Sequence, residues 1–220
     1  MEIEVSSEKG TAKKIMDAAL KLFAKKGFAA VSVKEVAKNA GVNIALISYY
    51  FGGKENLYEV ILERQFAISA KAIESINMEK ITPIEKIRRF ANLMVDLHQV
   101  YSYVDKLIYG EIINPTGCFD SIVMKAAARV HCFLKDCISE AITAGQFRPD
   151  LDPDYAASFL CCNIHFYFVT QTISKDLLPA RDDQAAYYVS QAIEMYLKGA
   201  LNSTIKINEN QGVSNEKYAF

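Results

Sequence analysis

The sequence predicts an all-α protein in two parts, an N-terminal three-helix unit and a larger helical body. Three observations predict it. Apolar residues recur every three or four positions through most of the chain, capping residues and glycines punctuate that rhythm, and no alternating run marks a strand. The 220 residues are 51% hydrophobic and 23% charged, enough for a proper core and too apolar for a disordered chain.

Each helix has its own signals. From Thr11 to Gly27, Ile15, Ala19, Leu22 and Phe23 share one face with lysines opposite, and Gly27 is the stop. Ser32-Val33-Lys34-Glu35 is a capping box that opens a second helix, closed at Gly41. Asn43 can cap a third, short helix that buries Leu46, Ile47 and Phe51 and turns Asn43, Ile44, Ala45, Ser48 and Tyr49 outward. A helix of two turns needs support from its neighbours. Helix, glycine turn and short exposed helix make a helix-turn-helix, the usual form of a DNA-reading element. After Gly52-Gly53, a long amphipathic helix runs from Lys54 to about Asn77. The body continues with helices from Pro83 to Val100, Tyr101 to Ile113 (broken at Gly110), Phe119 to Ala144, Pro153 to about Ser174 and Asp183 to about Leu201. The expected division is 1–53 for the DNA-binding unit, 54–201 for the body and 202–220 for a frayed polar tail.

Charge supports the division. Between Lys9 and Lys54 stand nine lysines against Asp17 and Glu35, a balance of +7. The whole chain is −1, so the remainder is −8. A basic module on an acidic body points to a polyanion partner for the module alone, although a solvated lysine face gives the same composition. No long apolar run or signal peptide is visible, so a cytoplasmic protein without a membrane partner is expected.

Residues 11–58 resemble the N-terminal domain of the TetR family of bacterial transcriptional regulators. The resemblance is carried by Ile15, Ala18-Ala19, Leu22-Phe23 and Gly27-Phe28, then Val33, Glu35-Val36-Ala37 and Ala40-Gly41-Val42, then Tyr50-Phe51, Lys54-Glu55 and Leu57-Tyr58. It implies a homodimer whose paired short helices enter successive major grooves of a double-stranded DNA operator. It also implies a divergent C-terminal domain for ligand binding and dimerisation, in which a small molecule releases the DNA. By position it assigns Asn43, Ile44, Ala45, Ser48 and Tyr49 to bases and groove wall, and Tyr50, Lys54 and Ser32 to phosphates. Ser48 and Leu46 depart from the aromatic and Thr that many members carry there. Hydroxyls of Ser and Tyr suit base edges and phosphates, and packing under the neighbouring helix is the competing role for Tyr49 and Tyr50.

In the body, polar groups isolated on apolar faces mark a candidate effector pocket: His98, Tyr101, Tyr109, Asn114, His131, Asn163 and Tyr167, with Glu111, His165 and Gln171 as further candidates. They suit an apolar or aromatic effector of unknown identity. The apolar stripes of the last two helices, with Phe159, Phe166, Tyr188, Ala192 and Tyr196, are candidates for a dimer face or for core. Five cysteines in apolar helical patterns read as buried, reduced thiols. Cys161 with His165 four positions on, and His131-Cys132 near Cys137, could serve a soft metal or a thiol switch. Neither CxxC nor HExxH is present and the flanks are apolar, which favours buried thiols, so no metal and no cofactor are expected. No nucleophile elbow, phosphate loop or dinucleotide fingerprint is present, so no enzyme is expected. The resulting expectation is a ligand-responsive regulator, most naturally a repressor. The alternative is a helical small-molecule-binding or thiol-sensing protein with a vestigial DNA module.

Overall fold

The computed structural model describes residues 2–100 and 103–201; Tyr101 and the predicted tail at 202–220 lie outside the described residues. The elements are α1 (Glu2–Lys26), α2 (Val33–Ala40), α3 (Ala45–Phe51), α4 (Lys54–Met78), α5 (Pro83–Val100), α6 (Val104–Ile113), a π-helical turn (Phe119–Val123) leading into α7 (Met124–Thr143), α8 (Pro153–Leu177) and α9 (Gln184–Ala200). Among the described residues there is no strand, only an antiparallel bridge between Phe147 and Leu201. None of the described helices is long and apolar enough to cross a membrane.

Local chemistry sets the boundaries. Ser32 Oγ accepts from the Glu35 amide at 3.1 Å, but the Glu35 carboxylate turns away to Lys26 at 2.6 Å, so the predicted capping box is half made. Gly41 takes φ 67°, a conformation that strains any residue with a Cβ, and the Val42 amide reaches back to Ala37 O at 3.1 Å. Asn43 Oδ1 accepts from the Ala45 amide at 2.9 Å and starts α3. Asp152 caps α8 through the amides of Asp154 and Tyr155.

Three boundaries differ from the sequence expectation. The first helix begins at Glu2 and carries Gly10 within it. Gly110 does not break α6, because buried Leu107 and Glu111 anchor the helix on both sides of it. The expected helix from Phe119 starts as a π turn, which rephases the chain and sends both Ile122 and Val123 inward.

Two apolar cores result. The first joins Ile15, Ala19, Leu22 and Phe23 of α1 to Val36, Ala37, Ile47 and the first half of α4, and also takes in Leu107, Ile122 and Val123 from the body. At its centre Phe23, Phe28 and Tyr58 pack ring on ring, with centroids 4.8–5.8 Å apart. The second core lies between the end of α4 and α5, α7, α8 and α9, around Phe90, Leu134, Ile138, Leu160 and Ile193. The sequence boundary at 53/54 therefore falls at the start of a helix that serves both cores. Phe23→Ala removes a buried ring from the first core and is expected to cost about 3–5 kcal/mol, measured by chemical denaturation. A loss below about 1 kcal/mol would show that the aromatic cluster is not what holds α1 to α4.

Candidate functional site

The reading face is short and open. Ile47 is fully buried under α3, with Leu46 and Phe51 half-buried beside it. That packing turns Asn43, Ile44, Ala45 and Ser48 outward, together with Tyr49, which is 71% exposed. The expected outward set is thus outward. Tyr50 is half-buried, edge-on to Tyr49 at 5.0 Å. Ser32 is exposed, and its hydroxyl can donate outward while its oxygen caps α2. Lys54 is half-buried, its ammonium 4.2 Å from the Phe28 ring centroid. Lys14, Lys21 and Lys25 of α1 line a groove against Asn39 and Ala40 of α2. Lys34 and Lys38 are exposed on α2, which extends the positive surface beside the reading helix.

Behind this face lies a cavity of about 300 Å³. Its walls come from α4 (Gln65, Phe66, Ser69), α5 (Met94, Leu97, His98), α6 (Asp105, Ile108, Tyr109, Ile112), the start of α7, and α8 (Cys161, His165, Phe166). Two of its polar atoms, Gln65 Oε1 and His98 Nε2, are buried and make no hydrogen bond among the described residues. His98 Nε2 lies 2.5 Å from Asp105 Oδ2 but out of line for a hydrogen bond, and His165 Nδ1 lies 3.8 Å from Asp105 Oδ1. Burial would raise the Asp105 pKa, but the neighbouring His165 and His98 favour the carboxylate and hold it below the usual value. Burial pulls His165 down, yet Asp105 and Cys161 outweigh it and push the imidazole up to about 9.

Of the sequence candidates, His98 and Tyr109 line the cavity, as does His165 from the wider set. The others are corrected by their own partners. Asn114 is exposed at the end of α6. His131 meets the Asp154 carbonyl at 3.1 Å, Asn163 is exposed and donates to Phe159 O at 2.8 Å, and Tyr167 is buried against Tyr188 with centroids 4.6 Å apart. Asp105 and Gln65 were missed, because a lone charged or amide residue on a helix reads as solvated. The thiols also need correcting: Cys132 and Cys162 are exposed, whereas burial pushes Cys137 up to about 12.

Besides α4, α6 joins the two regions. The cavity side of α6 carries Asp105, Ile108, Tyr109 and Ile112, while its other side sends Leu107 into the DNA-side core. Glu111, also buried on α6, accepts from Tyr58 Oη of α4 at 2.8 Å and from the Thr116 amide and hydroxyl at 3.0–3.1 Å. Burial, then Glu111 itself, raises the Tyr58 pKa, so this phenol stays a donor.

The outer face of α8 is apolar along its length. Phe159 and Phe166 are 65% and 57% exposed, in line with exposed Tyr155, Ile173 and Leu177. On α9 the candidates turn inward. Tyr188, Ala192 and Tyr196 are half-buried, Tyr188 stacks on Tyr167, and Tyr196 Oη donates to Ala156 O at 3.0 Å. The outward apolar residues of α9 are Tyr187 and Met195.

A helix-turn-helix head with an exposed short helix, joined through a shared helix to a body with an apolar cavity, defines the class: an all-α protein with a DNA-binding head and a helical C-terminal domain. Residues 15–61 match the family described as bacterial regulatory proteins, tetR family. The matched residues span the helix-turn-helix head, from α1 into the first half of α4. The chain is similar to two curated regulators. One is the Bacillus subtilis protein named Probable HTH-type transcriptional regulator YttP, 32% identical over 104 residues, or 46% of this chain and 50% of that one. The other is the HTH-type transcriptional repressor NicS of Pseudomonas putida, 30% identical over 84 residues, or 38% of this chain and 40% of that one. The chain thus spans half or less of the length of these two relatives. Its fold is similar to that of the ketosteroid transcriptional regulator KstR2 of Mycobacterium tuberculosis, with a TM-score of 0.71 at 17% identity, over 87% of this chain and 95% of that one.

Two substitutions test the reading face on any DNA the protein protects. Tyr49→Ala is expected to weaken binding about tenfold with the fold intact, and unchanged affinity would remove Tyr49 from the interface. Lys54→Ala is expected to lower the salt dependence of binding by about one charge. An unchanged slope would confine Lys54 to its contact with Phe28.

Proposed function

We propose that this chain is a ligand-responsive transcriptional regulator, a repressor that binds an inverted-repeat operator as a homodimer and is released by a small, largely apolar effector. The observation that carries this reading is α6, which is a wall of the cavity on one side and a member of the DNA-side core on the other. A molecule that fills the cavity pushes on Asp105, Ile108, Tyr109 and Ile112. That displacement is felt at Leu107 and, through Glu111, at Tyr58 on the helix that follows the reading element. An effector that binds better to the shifted form depletes the DNA-competent form. A coupling of about 1–3 kcal/mol corresponds to a 5–150-fold change in operator affinity.

The effector class follows from the lining, which is apolar apart from Gln65, Ser69, Asp105, Tyr109, the two histidines and the two thiols. The exposed stripe of α8, from Tyr155 to Leu177, supports pairing of two chains, because such a face gains by being covered. Two reading helices related by a two-fold axis meet half-sites about one helical turn apart, roughly 34 Å. Nothing in the site favours an enzymatic role, and the relatives above are regulators.

The test is a footprint of the purified protein on DNA upstream of its own gene, across a salt series. A protected inverted repeat, with affinity that falls steeply as salt rises, is the expected outcome. Diffuse protection with no symmetric site would favour the vestigial-module alternative. On the protected site, Glu111→Gln is expected to change operator affinity by about fivefold or more, because one of the two acceptor oxygens becomes an NH2 group that faces the Tyr58 hydroxyl or the Thr116 amide as donor against donor. An unchanged footprint would show that α6 does not couple the two regions.

A further inference from the structure

We propose that the polar end of the cavity is a binding site for a divalent first-row transition-metal ion, held by His98 Nε2, the Asp105 carboxylate and His165. Three helices, α5, α6 and α8, bring these groups together, and one potential ligand atom from each lies within 4.8 Å of the other two. Ligands about 2.1 Å from such an ion stand roughly 3–3.5 Å apart, so modest side-chain rotations close the set around a cation.

The state of His98 is the second, independent observation. Its side chain is only 7% exposed, and Nδ1 lies 2.5 Å from the Met94 carbonyl, which obliges Nδ1 to carry the proton. Nε2, 2.5 Å from Asp105 Oδ2 but out of line with it, is left as a buried nitrogen without a hydrogen-bond partner among the described residues, at the end of the cavity where Asp105 and His165 converge. A buried nitrogen without a partner beside a buried carboxylate is costly, and a cation bound by both would remove that cost. A carbonyl on Nδ1 with Nε2 left bare is the arrangement that orients a metal-binding histidine. The ring is further fixed by stacking on Phe168, with centroids 3.6 Å apart.

The donor set selects the ion. Two imidazole nitrogens and one carboxylate, with Cys161 one turn before His165 on the cavity wall, suit zinc, cobalt, nickel or ferrous iron rather than calcium or magnesium, which prefer oxygen. Three protein ligands leave coordination positions open to the cavity, so the ion would give an otherwise apolar pocket a directional handle for an oxygen or nitrogen donor. Binding here is coordination only, with the imidazole nitrogens giving up their protons to solvent as the metal enters. The site stands on this geometry alone and holds whether or not the cavity controls DNA binding.

The test uses the full chain, stripped with a chelator and titrated with cobalt(II), whose visible absorption reports coordination by protein ligands. One equivalent per chain, displaced by zinc, is expected. His165→Gln and Asp105→Asn should each weaken uptake about tenfold or more, with the far-ultraviolet dichroism unchanged. Cys132→Ser, at an exposed thiol remote from the site, should bind as the parent does. No stoichiometric uptake would overturn the proposal. Equal affinity in the His165 variant, or loss of uptake in the Cys132 variant, would place the metal elsewhere and overturn it too.

Discussion

Glu111 is a carboxylate at 1% exposure, and the two parts of the molecule meet at it. A buried carboxylate is tolerable only when its oxygens are satisfied, and here the donors come from both directions. Tyr58 belongs to the DNA-side core, stacked among Phe23 and Phe28, while Thr116 belongs to the turn after α6. The head and the body therefore do not meet through a flexible tether. They share a core, because α4 runs through both clusters and α6 adds Leu107 to the first. Packed interiors yield in discrete steps rather than continuously, which supports the proposed coupling across α6.

The cavity differs in character from both cores. The cores are closed by Ile, Leu and Phe side chains, whereas the cavity keeps the His98, Asp105 and His165 trio and an amide oxygen without a partner. Such groups lower stability unless something binds them, and their place inside an apolar wall supports the proposed ligand site. Room, apolar walls and a few convergent polar atoms are the usual ingredients of a small-molecule site.

How much of this was legible in the sequence depended on range. The reading face was legible because its determinants are local: Gly41, Asn43 and the spacing of Leu46, Ile47 and Phe51 fix both the turn and the outward side. The cavity was legible only in part. His98 and Tyr109 stood out as polar groups on apolar faces, but so did Asn163 and His131, which are satisfied by the Phe159 and Asp154 carbonyls. Asp105 gave no signal, since its importance comes from histidines on two other helices. The stripe on α9 was real, but periodicity cannot say which side of a helix faces its own chain, and Tyr188 and Tyr196 proved to face inward. Gly110 was misread for a related reason: burial of its neighbours overrode a weak local preference.

The lysines of α1 and α2 carry a consequence for the approach to a polyanion. They cluster at one end of a molecule whose remaining residues are acidic in sum, so the chain has an electrical direction as well as a charge near zero. In the field of a nucleic acid such a particle feels a torque before it feels a net pull. The basic end turns inward and the acidic body outward while the two are still about a Debye length apart, roughly 8–10 Å at ordinary salt. The share of encounters that arrive correctly oriented is then set by ionic strength, and added salt slows association even where the final contacts are unchanged.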